Sequence, residues 1–399
     1  SAHGSHIDAG RRLTSWDASL GCGEEIKRGG SILHLDTDFK GKKVLVVGAG
    51  ISGFAAAKVL RRLGAKVTLS DAKDEAEIKE DVSELRELGI ELIFGAQEAA
   101  LLDSCDLLVL SPAVPVAIPL AEEAKRRGIR ITSEVELAAA LAKSPIFAVT
   151  GTNGKTTTTT LLGLLLAEKF GKEKTRVGGN IGYPLSEAVL EAGEGGAVAA
   201  EISSYQMEAT EHFRPKVAAV LNVTPDHIKR HGSMEVYQAM KERLFREMAK
   251  GDWLVLNYDD ERTRSMQERA ACPVFFFSRR EALEEGALLL GDKLVLRRGG
   301  EEIALVTTAE LGIKGAHNVE NALAAAAMAF LAGVEPEAIR RVLRSFKGVE
   351  HRIEHFLDLA GVAWYNDSKA TNTDSAIKAL ESFSDGIVLI AGGDDKMTD

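Results

Sequence analysis

One segment has the residue types and the spacing needed to bind phosphate. Residues 150–157 read Thr-Gly-Thr-Asn-Gly-Lys-Thr-Thr, between an apolar run at 146–149 and a helical pattern that reaches Phe170. Backbone N–H groups in such a loop can surround phosphate oxygens, and the helix N-terminus adds partial positive charge. Lys155 would reach the β- and γ-phosphates and Thr156 would hold Mg²⁺, although the strict P-loop pattern has glycine where this chain has Val149. The predicted nucleotide-binding residues are Gly151, Thr152, Asn153, Gly154, Lys155, Thr156 and Thr157.

A second glycine motif lies earlier in the chain. Gly48-x-Gly50-x-x-Gly53 follows an apolar run, and Asp71 comes about 20 residues later, as in a dinucleotide-binding fingerprint. Taken alone, this motif predicts an NAD-dependent dehydrogenase or a nucleotide-sensing module. That hypothesis leaves the loop at 150–157 unexplained.

Three further side chains could take part in phosphate or metal chemistry. Glu201 ends an apolar strand, where a carboxylate suits Mg²⁺ if the phosphates lie nearby, although a strand-end Glu is more often structural. His227 also follows a buried strand, and a lone histidine there is more often an ordinary polar residue. Lys241 falls in a predicted helix at 234–248, where a lysine is normally solvated.

The elements that must position these residues alternate between strand and helix. Such alternation, with unbroken apolar strands, predicts parallel sheets covered on both faces. A first unit has strands at 44–47, 67–70 and 107–110 and a helix at 51–63, and a linker follows at 143–145. A second unit has strands at 146–149, 198–202 and 217–223, hairpins within 288–306, and helices at 319–331 and 336–346. A third unit has strands at 362–366 and 387–391 and a helix at 373–383.

Composition excludes several classes of function. Of 399 residues, 49 are basic and 59 acidic, so the formal charge is 49 − 59 = −10, and a nucleic-acid partner is not expected. Cys22, Cys105 and Cys272 are far apart and lack metal-ligand spacing, which fits a reducing, cytoplasmic compartment. No apolar run approaches the roughly 20 residues of a membrane helix.

The octet at 150–157 resembles the ATP loop of the muramyl ligase and folylpolyglutamate synthase superfamily. Further motifs resemble the same family in the same order along the chain. They are Gly-Asn-Ile-Gly at 179–182, Glu-Ile-Ser-Ser-Tyr-Gln at 201–206, Asn-Val-Thr-Pro-Asp-His at 222–227, His-Asn at 317–318 with Asn321, His-Arg at 351–352, and Asp-Ser-Lys-Ala-Thr-Asn at 367–372.

The resemblance implies a role for each matching residue. It implies two Mg²⁺ ions, with Thr156, Glu201, His227 and a carbamylated Lys241 as ligands, and Lys250 as a weaker alternative to Lys241. It implies that Arg352 and Lys369 join catalysis from the C-terminal domain. The remaining ATP contacts would be Asn318, Asn321, Arg352 and Asp367, with Asp367 on the ribose. The UDP-substrate contacts would be Gly50, Ile51, Ser52, Asp71, Lys73, Ser111, Asn180 and His227, and the amino-acid contacts Lys369, Thr371 and Lys396.

The implied fold is α/β with three domains. Residues 1–40 would be a disordered extension or tag, 41–144 a Rossmann-like uridine-binding domain, 145–347 a P-loop ATPase-like domain with a parallel sheet, and 348–399 a partial Rossmann-like amino-acid-binding domain. About 50 residues bury too little surface to fold well alone. We therefore expect the third domain to be incomplete and this chain to bind nucleotides but to ligate poorly or not at all.

The implied activity is an ATP-dependent, ADP-forming ligation in peptidoglycan precursor synthesis, with small-molecule substrates and a monomeric enzyme. The opening Val-Val-Gly-Ala-Gly-Ile-Ser-Gly and the segment at 392–396 resemble the members that add D-glutamate to UDP-N-acetylmuramoyl-L-alanine. Another amino-acid-adding member, a folylpolyglutamate synthase-like ligase and a non-catalytic relative are the alternatives within the superfamily.

Overall fold

The first sheet is formed by strands that are all parallel. The computed structural model describes residues 35–95, 97–383 and 386–393. The strand order is β3-β2-β1-β4-β5, so the chain reverses direction across the sheet beside β1, which precedes the first glycine motif. The predicted strands at 44–47, 67–70 and 107–110 are confirmed. The strands are β1 (Lys43–Val47), β2 (Lys66–Asp71), β3 (Glu91–Phe94), β4 (Leu107–Leu110) and β5 (Arg130–Ser133).

The second sheet is larger and positions the loop at 150–157. Its order is β14-β13-β12-β11-β10-β9-β6-β8-β7, parallel from β7 to β12 and antiparallel at β13 and β14. The hairpins predicted within 288–306 are confirmed, whereas β9 ends three residues before the predicted position 223. The strands are β6 (Ile146–Thr150), β7 (Thr175–Gly179), β8 (Ala197–Glu201), β9 (Val217–Val220), β10 (Trp253–Asn257), β11 (Val274–Ser278), β12 (Gly286–Leu290), β13 (Lys293–Arg298) and β14 (Glu301–Thr307).

Helices cover both faces of these sheets. Alternate residues of β6 point to opposite faces, so Phe147 and Val149 join one apolar core while Ile146 and Ala148 join another. The first of these cores contains α5, α10 and α11, and the second contains α6 and α8. The helices are α1 (Ile51–Arg62), α2 (Ser83–Glu87), α3 (Pro119–Arg126), α4 (Glu134–Leu141), α5 (Lys155–Phe170), α6 (Leu185–Ala192), α7 (Ile228–His231), α8 (Met234–Glu242), α9 (Glu261–Ser265), α10 (Ala316–Leu331), α11 (Pro336–Ser345) and α12 (Thr373–Leu380).

The C-terminal elements are a hairpin and a helix. Strands β15 (Glu354–Leu359) and β16 (Val362–Asn366) pair antiparallel, and α12 follows them. Strand β15 was not predicted, because its sequence lacks a continuous apolar run. The strand predicted at 387–391 is wrong: no strand pairs with this segment within the part of the chain that the structure describes, and Val388 is 89% exposed.

Two other sequence expectations need adjustment. The helix predicted at 234–248 ends at Glu242 and continues as a short 3₁₀ turn, Arg243–Phe245. The extension predicted at 1–40 falls mainly on residues 1–34, which lie outside the described residues, while Leu35 and Phe39 are buried in the core of the first sheet. Among the described helices, none has both the length and the apolar composition to span a membrane.

Helix α4 joins the two sheets through buried carboxylates. Glu134 Oε1 accepts a hydrogen bond from the backbone N–H of Ser186, at 2.5 Å. Glu136 accepts two more, from the backbone N–H groups of Glu211 and His212, at 2.9 and 2.8 Å. Because α4 follows β5 directly and its partners belong to the second unit, these contacts fix the first sheet against the second.

Candidate active site

The loop after β6 has a conformation that is fixed by contacts with Asn222 and Asn321. Asn222 Oδ1 accepts from the backbone N–H of Asn153 at 2.8 Å, and Asn222 Nδ2 donates to the Asn153 carbonyl at 3.1 Å. Gly154 has φ +84°, and a Cβ there would lie 2.2 Å from Asn321 Oδ1, so only glycine fits. The loop therefore leads into α5 in a fixed conformation, with its N–H groups at the carboxyl end of the parallel strands, where ligands bind in such sheets.

Two lysines converge on this loop. Nζ of Lys155 donates to the carbonyls of Gly151 and Thr152, at 2.9 and 2.8 Å, and Nζ of Lys241 donates to the Gly151 carbonyl at 2.9 Å. Lys241 is 1% exposed, and its Nζ lies 4.4 Å from the centre of the Tyr237 ring. It is therefore not the solvated helix lysine that the sequence indicates. Lys250, the alternative, is exposed.

Burial lowers the pKa values of both lysines. Desolvation lowers the pKa of Lys155, although the nearby carboxylates of Glu201 and Asp226 oppose that effect. Desolvation also lowers the pKa of Lys241 well below its usual value, and the charge of Lys155 lowers it further. The structure thus places two lysines with lowered pKa values beside the same carbonyl group, and the pKa of Lys241 is lowered well below its usual value.

Glu201 ends β8, next to the loop. Its neighbour across the sheet is Val149 of β6, and its side chain is 1% exposed. Oε1 accepts from Nδ2 of Asn180 at 2.8 Å, whereas the buried Oε2 has no hydrogen-bond partner. A buried carboxylate oxygen without a partner is costly, and a hard cation such as Mg²⁺ would satisfy it.

The described residues contain no group of three or more His, Cys, Asp or Glu side chains that could hold a metal together. The free carboxylate oxygen of Glu201 remains a group that could hold Mg²⁺, which usually binds one or two carboxylates and keeps several waters.

His227 lies at the same edge of the sheet, with Asp226 beside it. His227 has a left-handed backbone conformation, φ +53°. Its Nδ1 lies 2.9 Å from the hydroxyl of Tyr205 and its Nε2 lies 3.5 Å from Asp226 Oδ2. Asp226, 5% exposed, and Tyr205 lie within the motifs at 222–227 and 201–206, but the sequence analysis gives neither residue a role, because their roles depend on contacts between separate segments.

Asn318 and Asn321, the residues predicted in α10, form hydrogen bonds at the start of α5, beside the loop. Asn321 Oδ1 accepts from the Thr158 hydroxyl at 3.3 Å, and Asn321 Nδ2 donates to Asn318 Oδ1 at 3.1 Å. Burial lowers the pKa of the adjacent His317 to about 4, and the charges of Arg352 and Lys378 contribute. A cavity opens beside these groups, lined among others by Asn153, Asn222, His317, Asn321, Arg352 and Lys378.

The C-terminal elements reach this cavity in part. Arg352 lines it, and Asp367 Oδ1 accepts from the backbone N–H of Ile353 at 3.1 Å. Burial raises the pKa of Asp367. Lys369 and Thr371 are exposed, and within the described chain no side-chain hydrogen bond joins either to the loop. Lys396 lies outside the described residues.

The first glycine motif forms a second loop, after β1. A Cβ at Gly53 would lie 1.9 Å from the Gly48 carbonyl oxygen, so the helix can approach the turn only with glycine. Asp71 holds this loop: Oδ2 accepts from the backbone N–H of Ala49 at 2.7 Å and Oδ1 from that of Lys73 at 2.9 Å. Gly50, the exposed Ile51 and the half-buried Ser52 form its outer turn, and the buried Ser111 lies behind Gly48.

Comparisons with known proteins agree with this geometry. Residues 149–329 match the Mur ligase middle domain, and residues 42–133 match the Mur ligase MurD-like N-terminal domain. The chain is 46% identical over 359 residues to the UDP-N-acetylmuramoylalanine–D-glutamate ligase of Thermoanaerobacter pseudethanolicus, covering 90% of this chain and 79% of that protein. It is 47% identical over 362 residues to the corresponding ligase of Pelotomaculum thermopropionicum, covering 91% and 79%.

Solved structures support the fold. A pseudomurein peptide ligase type C from Methanothermus fervidus matches with a TM-score of 0.52 at 21% identity, covering 86% of this chain and 77% of its own. The UDP-N-acetylmuramate–alanine ligase MurC of Thermotoga maritima matches with a TM-score of 0.50 at 22% identity, with the same coverage. The α/β fold with parallel sheets is confirmed.

The fold places the loop at 151–154 at the carboxyl end of a parallel sheet, as in nucleotide-dependent enzymes of the α/β class. Within that class, the chain belongs to the Mur ligase family of ATP-dependent, ADP-forming amino-acid ligases. The family that the sequence motifs indicate is therefore confirmed.

Proposed function

We propose that this chain joins D-glutamate to UDP-N-acetylmuramoyl-L-alanine, with conversion of ATP to ADP and phosphate, in the cytoplasmic synthesis of peptidoglycan precursors. The observation that carries the proposal is that Lys155 and Lys241 both donate to the loop at 151–154, while Glu201, whose Oε2 has no hydrogen-bond partner, lies near enough to interact with the charge of Lys155. Relatives named for this reaction, alike over nine-tenths of the chain, support the choice of substrates.

The reaction would proceed by acyl activation. A carboxylate oxygen of the alanine residue attacks the γ-phosphorus, an O–P bond forms, and ADP leaves. The amine of D-glutamate then attacks the acyl carbon, and phosphate leaves with that carboxylate oxygen. Because two anions meet in the first step, stabilising negative charge is the main task of the site. Lys155, at the start of α5, would supply a directed positive charge, and Arg352 would add another from the C-terminal side.

Two Mg²⁺ ions are part of the proposal. Thr156 and the free oxygen of Glu201 would hold one, and His227 with Lys241 the other; bound there, the ions would neutralise the phosphates. Lys241 fits its place as a carbamate, because a neutral buried amine can react with CO₂ and then offers anionic oxygen ligands. Tyr205 would orient His227 through its contact with Nδ1.

The remaining proposed contacts follow the two loops. The loop at 48–53, with Ser111, Asp71 and Lys73, would bind the UDP end of the substrate. Asn180, which donates to Glu201, would contact the rest of that substrate. The ATP nucleoside would occupy the cavity beside Asn318, Asn321 and Asp367. Residues 41–144, 145–347 and 348–399 would thus bind UDP substrate, ATP and amino acid respectively, with Lys369, Thr371 and Lys396 serving the amino acid. The enzyme would act as a monomer.

The test is ADP release with UDP-N-acetylmuramoyl-L-alanine and one candidate amino acid at a time. We expect release above background with D-glutamate alone. A preference for L-alanine, diaminopimelate or a folate acceptor would show that a different member of the family had been identified. Binding of NAD without ATP turnover would favour the dehydrogenase hypothesis instead.

A further inference from the structure

We propose that Asn372 is a positioning residue that couples the C-terminal elements to the phosphate loop. The proposal rests on the proposed function only in taking the loop at 151–154 as the ATP site. It concerns a side chain outside the roles given above, and it assigns that residue the task of aligning Arg352 and Asp367 with the nucleotide.

The two ends of the Asn372 side chain have separate partners. Oδ1 accepts from the backbone N–H of Ser375 at 2.8 Å and so caps α12. Nδ2 donates to Asn153 Oδ1 at 3.1 Å and to Asp226 Oδ2 at 3.2 Å. An N-cap residue alone needs only the first contact, so the amide nitrogen provides a connection that capping does not require.

Both acceptors are fixed parts of the site. Asn222 holds the backbone of Asn153 on two sides, and Asp226 Oδ1 accepts from the backbone N–H of His227 at 2.8 Å. The partners of Asn372 lie 219 and 146 residues away in sequence. A movement of α12 by more than the length of a hydrogen bond would break both contacts. The two hydrogen bonds of the Asn372 side chain therefore form only when the loop and α12 are both in the positions seen here.

The chemistry of the amide is specific. Its two N–H groups allow simultaneous donation to two oxygen acceptors, one of them a carboxylate, and hydrogen bonds to charged groups are the stronger ones. Aspartate has the same length and caps a helix equally well. It would, however, place a second carboxylate against Asp226 Oδ2. Serine also caps a helix but is too short to reach both acceptors.

The segment before α12 would be aligned as a result. Asp367 is held by the backbone of Ile353, next to Arg352, and the Lys369 backbone N–H donates to the His351 carbonyl at 3.2 Å. These contacts link the segment at 351–353 to the segment at 367–369. Fixing residue 372 on the loop therefore limits the positions that Arg352 can take beside the phosphates.

Hydrogen exchange of the whole chain without nucleotide tests this coupling. In Asn372→Asp we expect exchange of the amides at 150–157 and at 367–380 to rise together, by about tenfold, for the loss of a charge-assisted hydrogen bond. The matched control is Ser375→Ala, which removes the hydroxyl that accepts from the Asn372 backbone N–H and leaves both hydrogen bonds of Asn372 Nδ2 in place. We expect its effect to stay within 373–380.

Asn372→Ser is the second variant, because serine keeps the N-cap of α12 and loses only the hydrogen bonds of Nδ2 to Asn153 and Asp226. In this variant the amides at 150–157 should exchange faster, as in Asn372→Asp. Both variants should raise KM for ATP more than Ser375→Ala does. Exchange at 150–157 that stays at the wild-type rate in both variants would overturn the proposal. Failure of the wild-type chain to bind ADP with Mg²⁺ would instead refute the proposed function.

Discussion

Glu134→Gln tests the buried junction between the two sheets. Glu134 is 1% exposed, its Oε2 has no hydrogen-bond partner, and burial raises its pKa from 4.5 to about 7. The folded state thus holds the proton up to a higher pH than the unfolded state does, so stability falls as pH rises from about 4.5 to 7. The difference of 7 − 4.5 = 2.5 pH units corresponds to about 3 kcal/mol at pH 8.

Glutamine keeps the oxygen that accepts from Ser186 and cannot ionise. We therefore expect Glu134→Gln to be more stable than the wild type at pH 8, by up to about 3 kcal/mol, and nearly equal to it at pH 5. Thermal or urea unfolding of both proteins between pH 5 and 8.5 measures the difference. Two curves that stay parallel across this range would refute the reasoning.

The control is Glu136→Gln on the same helix. Glu136 uses both oxygens as acceptors, for the N–H groups of Glu211 and His212, and glutamine offers only one. This variant should be less stable than the wild type, by about 1–3 kcal/mol for a buried N–H left without its acceptor. Stabilisation by both substitutions would point to a general effect of removing charge.

Three further predictions concern the loop. Lys155→Ala should lower ATP turnover at least about a hundredfold in a folded protein, because it removes a directed charge; near-normal turnover would contradict the phosphate-loop assignment. Lys241 should carry a carbamate in the active enzyme, so Lys241→Ala should lose activity that acetate restores in part, and a crystal structure of the substrate-bound enzyme with an unmodified Lys241 would oppose this. Gly154→Ala should weaken nucleotide binding and lower the unfolding temperature, since its Cβ would collide with Asn321 at 2.2 Å; unchanged calorimetric affinity would show that α10 can yield.

Local patterns predicted both loops and ten of the 16 described strands, whereas β3, β5, β7, β10, β11 and β15 were not predicted. The octet at 150–157 could be recognised because its turn, lysine and helix are contiguous in sequence. Buried parallel strands could be recognised where they form continuous apolar runs. The strand predicted at 387–391 failed because a strand exists only when another pairs with it, and an apolar run cannot specify that partner. Similarly, β15 is exposed along most of its length, so its sequence carries no strong strand signal.

The site could be predicted only in part, because several of its residues meet through distant segments. Tyr237 and Lys241 are the two buried residues of α8, four positions apart and hence on one face. That spacing is a signal that could have indicated a buried lysine from sequence. By contrast, Asp226 and Asn372 depend on contacts across 146 residues, and no local pattern reveals such a pairing.

The central claim is that the chain activates a carboxylate as an acyl phosphate at the loop formed by residues 151–154. The most direct test uses UDP-N-acetylmuramoyl-L-alanine labelled with ¹⁸O in the alanine carboxylate, together with ATP and D-glutamate. The mechanism predicts one ¹⁸O atom in each phosphate released, because a carboxylate oxygen leaves with the phosphate when the amide bond forms. Release of unlabelled phosphate alongside the ligated product would contradict the account.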